Sequence, residues 1–138
     1  MSSSHRFKGE RTLMRIFIGE SDRCVVGPHK GKPLYEALVA FFREEGFAGA
    51  TVLRGIAGFG ASARVHTHRI LRLSLDLPIV VEVIETEARI QDVLPQLDGM
   101  IGGGLITLER ARVILYRPAD APETERSLHR IEGLEPES

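Results

Sequence analysis

Three observations in the sequence predict an α+β fold in which four antiparallel strands carry two helices on one face. Short β-branched and aromatic runs alternate with two stretches of helical periodicity, in the order strand, helix, strand, strand, helix, strand. The chain has 138 residues, 43% hydrophobic and 27% charged, which is one domain's worth of near-average globular composition. Each helical stretch stands between two strands, the order produced by a pair of right-handed crossovers in one sheet.

The first strand is residues 12–18, TLMRIFI, ending at Gly19. The following GESDRCVVGPHKGKP has the Gly, Ser, Asp and Pro of a loop. From Pro33, suited to a first helical position, Leu34, Leu38, Phe41 and Phe42 mark an apolar helix face, and Gly46 supplies the stop. A second strand is expected over Ala50–Ile56 and a third over Ile79–Ile84, opened by Pro78. Thr86 is placed to cap a second helix that carries Ile90, Val93, Leu94, Leu97 and Ile101, with Pro95 expected to kink or split it. The glycines at 102–104 end that helix, and Leu105–Tyr116 is the last strand, expected to be interrupted near Glu109–Ala111.

This element order is that of the ferredoxin-like βαββαβ sandwich, a four-stranded antiparallel sheet with both helices on one face. The opposite face has no helix left to cover it. Val52, Val81, Val83 and Val113 are expected there, and exposing that much apolar surface predicts self-association. The 57–78 connection is long enough to be functional, and ILRLSL at 70–75 has the pattern of a short strand. Residues 1–11 read as a disordered extension, 12–117 as the domain, and 118–138 as an acidic mobile tail, with a short helix at Glu123–Ile131 as its structured alternative.

A formal net charge of -1 conceals an uneven distribution. The window from Gly46 to Leu75 contains no acid, while Arg54, Arg64, Arg69 and Arg72 stand in it beside His66 and His68. Such a patch fits a small anionic ligand. It is too small for a nucleic-acid surface, and the window has few aromatics to stack on bases. The opening MSSSHRFKGER lacks the apolar core of a signal peptide, and no apolar run approaches the roughly 20 residues of a membrane helix. A soluble, cytoplasmic protein is therefore expected. Cys24 is the single cysteine, so no internal disulfide can form.

The candidate chemistry is sparse. Glycines around 55–60 and at 102–104 can bare backbone N–H groups to a phosphate or can simply serve as turns, and they match neither a P-loop nor a dinucleotide fingerprint. Ser62 and Thr67 add hydroxyl donors beside the arginines. Glu20, Ser21, Asp22 and Arg23 after the first strand, with Lys30 and Lys32 before the helix, fit an anion site or ordinary loop chemistry. His66 and His68 lie two apart in an extended segment, a two-ligand metal site to which Cys24 and His29 are distant candidates. Neither Ser21 nor Cys24 has a nucleophile motif, and Glu82 and Glu85, three apart in a strand, face opposite sides. The chain reads as a non-enzyme.

Five segments together resemble the PII-like proteins of the domain of unknown function 190 family: RIFIGESDR (15–23), GKPLYEALV (31–39), GFAGATVLRGIAGFG (46–60), VHTHRILRLSLDLPIVVEVIE (65–85) and GLITLERARVILY (104–116). The resemblance implies a ferredoxin-like subunit related to PII signalling proteins and to the CutA group, normally a homotrimer. It places Gly58, Phe59 and Gly60 at the base of a T-loop counterpart over 61–77. It also places Gly102, Gly103 and Gly104 where PII proteins wrap nucleotide phosphates, with Arg117 near their phosphate-binding arginine. Two departures stand out: Leu105 follows the glycines where PII proteins usually have lysine, and no tyrosine occurs between Ala61 and Leu77. The expectation is a trimeric, non-catalytic regulator that binds a small anionic effector such as ATP, ADP, AMP or cyclic AMP between subunits. Ligand-binding residues would be Gly58, Phe59, Gly60, Ser62, Arg64, Gly102, Gly103, Gly104 and Arg117, and the 61–77 loop would engage a membrane transporter or channel. The alternative is a CutA-like metal-responsive protein using His66 and His68.

Overall fold

The computed structural model describes residues 9–60 and 76–119. In chain order these form β1 (Gly9–Gly19), a single 3-10 turn (Gly27–His29), α1 (Leu34–Glu44), β2 (Thr51–Arg54), β3 (Pro78–Glu85), α2 (Glu87–Met100) and β4 (Leu105–Val113). The strands form one sheet in the order β2-β3-β1-β4, antiparallel throughout. This is the ferredoxin-like arrangement expected from the element order.

Alternation along the two central strands decides which side chains meet the helices. Met14, Ile16 and Ile18 of β1 and Ile79, Val81 and Val83 of β3 are buried on the helix side. Against them pack Leu34, Ala37, Leu38 and Phe42 of α1 and Ile90, Val93, Leu97 and Met100 of α2. The expected residents of the open face are therefore corrected. Val81 and Val83 lie in the core, Val52, which is paired with Val81, is half-buried against it, and Val113 alone of the four faces away from the helices. The open face instead carries Leu13, Arg15 and Phe17 of β1, Val80, Glu82 and Ile84 of β3, Thr51 and Leu53 of β2, and Leu105, Thr107 and Glu109 of β4.

Several boundaries shift for identifiable reasons. Strand β1 starts at Gly9, so the last residues of the expected 1–11 extension pair with β4, Gly9 opposite Val113. Strand β2 is confined to Thr51–Arg54, bounded by Gly49 and Gly55. Helix α2 runs through Pro95 without splitting, capped by the Thr86 side chain, which accepts from the Arg89 N–H at 3.3 Å. Strand β4 ends at Val113 and is uninterrupted at Glu109–Ala111, where Leu13, Thr12 and Arg11 of β1 pair with it. The proposed strand at 70–75 and tail helix at Glu123–Ile131 lie outside the described residues.

Arg89 joins the two helices. Its guanidinium bonds the Glu85 carboxylate at 3.2 Å, donates to the Gly46 carbonyl at 3.3 Å and to the Glu45 carbonyl, and lies 4.9 Å from the centre of the Phe47 ring. It thereby satisfies carbonyls at the C-terminal end of α1, which have no partner within that helix.

Candidate functional site

Antiparallel pairing brings both glycine turns to one end of the sheet. Gly19 ends β1 opposite Pro78, Arg54 ends β2 opposite Ile79, and Leu105 begins β4 opposite Phe17. Gly58, Phe59 and Gly60 follow β2, while Gly102, Gly103 and Gly104 precede β4. Two to three strand spacings, roughly 10–15 Å, separate the two turns across the sheet end.

The glycines of this end fall into two physical classes. At Gly55 a Cβ would stand 2.8 Å from Pro78 Cγ, and at Gly58, with φ of 139°, 3.2 Å from the same atom. At Gly104 a Cβ would stand 2.6 Å from the Phe17 carbonyl oxygen. Those three are required by the packing of the chain on itself. Gly102 and Gly103 are different: neither has a positive φ, both are exposed, and a Cβ on either would meet nothing within 4 Å. Nothing in the described chain requires glycine there, so the backbone is bare toward the outside. Gly60 also opens on empty space, and Phe59 beside it is 80% exposed.

The loop after β1 is held by one of its own carboxylates and by one from the segment before β3. Asp22 Oδ2 accepts from the Gly19 N–H at 2.9 Å and Asp76 Oδ1 from the Ser21 N–H at 3.0 Å. Glu20 pairs with Arg54 at 3.0 Å, and the Leu34 N–H at the start of α1 donates to the Asp22 carbonyl at 2.7 Å. Loop chemistry thus accounts for Glu20, Ser21 and Asp22, while Lys30 and Lys32 are exposed beside them.

Arg117 lies away from the glycines. It follows β4 at the far end of the sheet, where Val113 pairs with Gly9. Next to it, Tyr116 borders a groove of about 370 Å³ with Leu13, Ala50, Thr51, Ile84 and Val113. Within one subunit, then, the structure brings Gly58–Gly60 and Gly102–Gly104 to one end and leaves Arg117 at the other. Ser62, Arg64, Thr67, Arg69 and Arg72 lie outside the described residues, as do His66 and His68. Of the more distant metal candidates, Cys24 is buried with its thiol donating to the Val26 carbonyl at 3.2 Å, and His29 is 3.2 Å from Glu44. Among the described residues no three His, Cys, Asp or Glu side chains gather as a metal site. No helix among them is long and apolar enough to cross a membrane.

One arrangement escaped the sequence reading. On the open face, Arg15 of β1 donates from Nε to Glu82 of β3 at 2.8 Å and from a terminal nitrogen to Glu109 of β4. The bond to Glu82, with help from Glu109 and against partial desolvation, raises the Arg15 guanidinium above its ordinary value. The signal was one charged residue in the middle of each of two apolar strand runs, TLMRIFI and IVVEVI.

The model of the DUF190 family, described as Uncharacterized ACR, matches residues 11–113. A UPF0166 protein of Aquifex aeolicus (strain VF5) is 39% identical over 105 residues, covering 76% of this chain and 94% of that protein. A UPF0166 protein of Methanocaldococcus jannaschii is 33% identical over 102 residues, covering 73% of this chain and 89% of its own. A second UPF0166 protein of Aquifex aeolicus is 40% identical over 70 residues, covering 51% of this chain and 73% of that protein.

Proposed function

The chain belongs to the DUF190 family, and from that membership and the geometry of the sheet end we propose that it is a non-catalytic, PII-like regulator that binds a small anionic effector, an adenine nucleotide, between the subunits of a homotrimer. The observation that carries this reading is the bare backbone at Gly102 and Gly103, where the described residues give no reason for glycine. Exposed peptide N–H groups on such a turn suit phosphate oxygens, and Arg54, in the acid-free window that begins at Gly46, ends β2 at the same end of the sheet. Gly58–Gly60 borders that end of the sheet. Arg117 leaves the opposite end, so a ligand that uses both the glycines and this arginine needs a second copy of the chain. Subunits packed through their open faces supply that copy.

Ligand occupancy would then bias the 61–77 loop through contacts made in one loop state and not in another, and the loop would engage or release a partner, a membrane transporter or channel. The exposed Ile56 and Phe59 at its base offer that partner an apolar contact.

Isothermal titration calorimetry of the full chain against ATP, ADP, AMP and cyclic AMP tests the proposal. Saturable heat with at least one nucleotide, weakened by Gly103→Ala, is expected. Absence of heat with all four, on protein shown to be trimeric, overturns the nucleotide reading.

A further inference from the structure

The open face is organised in rows that cross the sheet, and the rows differ in kind. Register places Leu53 opposite Val80, Val80 opposite Phe17, and Phe17 opposite Leu105, one apolar row across all four strands at the glycine end. Leu53 is 49% and Leu105 56% exposed, so the two ends of the row are not covered by the described residues. The next row is polar: Thr51, Glu82, Arg15 and Thr107, with Glu109 joined diagonally to Arg15. Beyond it Ile84 and Leu13 are apolar again. The four strands, of 11, 4, 8 and 9 residues, present roughly 500 Å² of open face, more than half of one partner's share of a standard protein interface.

We propose that the Glu82–Arg15–Glu109 row fixes the relative orientation and copy number of the subunits that meet through this face; the inference rests on the reading that they assemble there. The occupant is a second copy of the chain. The apolar rows would adhere to a like surface at many offsets and angles, because the hydrophobic effect has no direction. The ionic row removes most of those choices. Any offset that seats it under apolar side chains must desolvate two carboxylates and a guanidinium, and one of the carboxylates is in surplus. Only arrangements that keep the row wet, or meet it with polar groups of the neighbour, escape that cost. The row therefore discriminates among assemblies more than it holds one together, a division of labour known for polar groups in otherwise apolar interfaces.

Native mass spectrometry with light scattering on the full chain tests this directly. The unaltered protein is expected to give a single copy number over a wide concentration range. The triple variant R15M/E82L/E109L, shown folded by circular dichroism, is expected to stay associated but to spread over two or more copy numbers. Should that variant fail to fold, Arg15→Lys serves in its place: it keeps the charge but lacks the planar fork that bridges both carboxylates, and a second copy number should appear. If the triple variant and Arg15→Lys both retain the parent's single species, the row has no selective role and the proposal fails. A monomeric triple variant also overturns it, because the row would then supply affinity. An unaltered protein that is itself monomeric refutes the assembly reading beneath it, a separate result.

Discussion

Replacing Arg89 by alanine should be the most damaging single change on the polar side of the helix layer. The Glu85 side chain is 8% exposed and has two protein partners, the Thr86 N–H at 3.1 Å and Arg89. In the alanine variant that buried carboxylate keeps one neutral donor and loses its counter-charge. Breaking a buried ion pair from one side costs about 3–5 kcal/mol, and because Arg89 is itself 35% exposed the lower end applies. Loss of the bonds to the Glu45 and Gly46 carbonyls and of the contact with Phe47 adds a smaller amount. A total of about 3 kcal/mol, or roughly 10–20 °C in Tm, is expected for a domain of this size. Urea and thermal denaturation followed by circular dichroism at fixed protein concentration would measure it. Adding Glu85→Gln to the alanine variant should return about 1 kcal/mol, since the unpaired charge is removed. An Arg89→Ala protein within about 0.5 kcal/mol of the parent would refute the reasoning, for it would mean that the helix ends and Glu85 are satisfied without this residue.

The two classes of glycine make a paired test. Gly104→Ala forces a Cβ to 2.6 Å from the Phe17 carbonyl oxygen, a backbone clash that should cost about 1–3 kcal/mol in denaturant unfolding. Gly103→Ala meets open space and should change stability by under about 0.5 kcal/mol, while weakening nucleotide binding by about tenfold or more in calorimetry; unchanged affinity would detach the turn from the ligand. Phe42→Ala, at a 1% exposed position between α1 and the sheet, should cost about 3–5 kcal/mol, and a loss below about 1 kcal/mol would show a loosely packed core. Arg54→Ala breaks an ion pair with Glu20 in which Arg54 is 61% exposed, so unfolding stability should move by less than about 1 kcal/mol.

Element order was legible because period and punctuation agreed. Leu34, Leu38 and Phe42 recur at helical spacing, Thr86 caps, and Gly46 and Gly102 stop. Facing was harder to read. In IVVEVI every position but Glu82 is apolar, so alternation does not tell inside from outside in a central strand, and Val81 and Val83 were assigned to the wrong face. The buried side is decided by register, which Pro78 opposite Gly19 and the β1 ladder impose from a distance. Pro95 shows the opposite limit. A local rule predicted a kink or a split; the helix is not split, because the apolar face of Ile90, Val93 and Leu97 packs against the sheet on both sides of the proline.

The candidate site was legible as residue types and not as a place. Arg15 and Glu82 are 67 residues apart in the chain, and only the pairing of β1 with β3 joins them. The glycines at 102–104 read alike in the sequence, yet the structure separates Gly104, which backs onto the Phe17 carbonyl, from Gly102 and Gly103, where an added Cβ would meet nothing within 4 Å among the described residues. That separation matters for function because a glycine explained by its own chain says nothing about a ligand. An unexplained one leaves room for close approach from outside. Since β4 carries the chain away from those glycines to Val113, four residues before Arg117, a ligand that used both, as proposed, would sit where one subunit's glycine end met another's Arg117 end. Assembly and ligand binding would then be one requirement, and below the concentration range in which the oligomer persists alone, added nucleotide should shift the mass toward the oligomer.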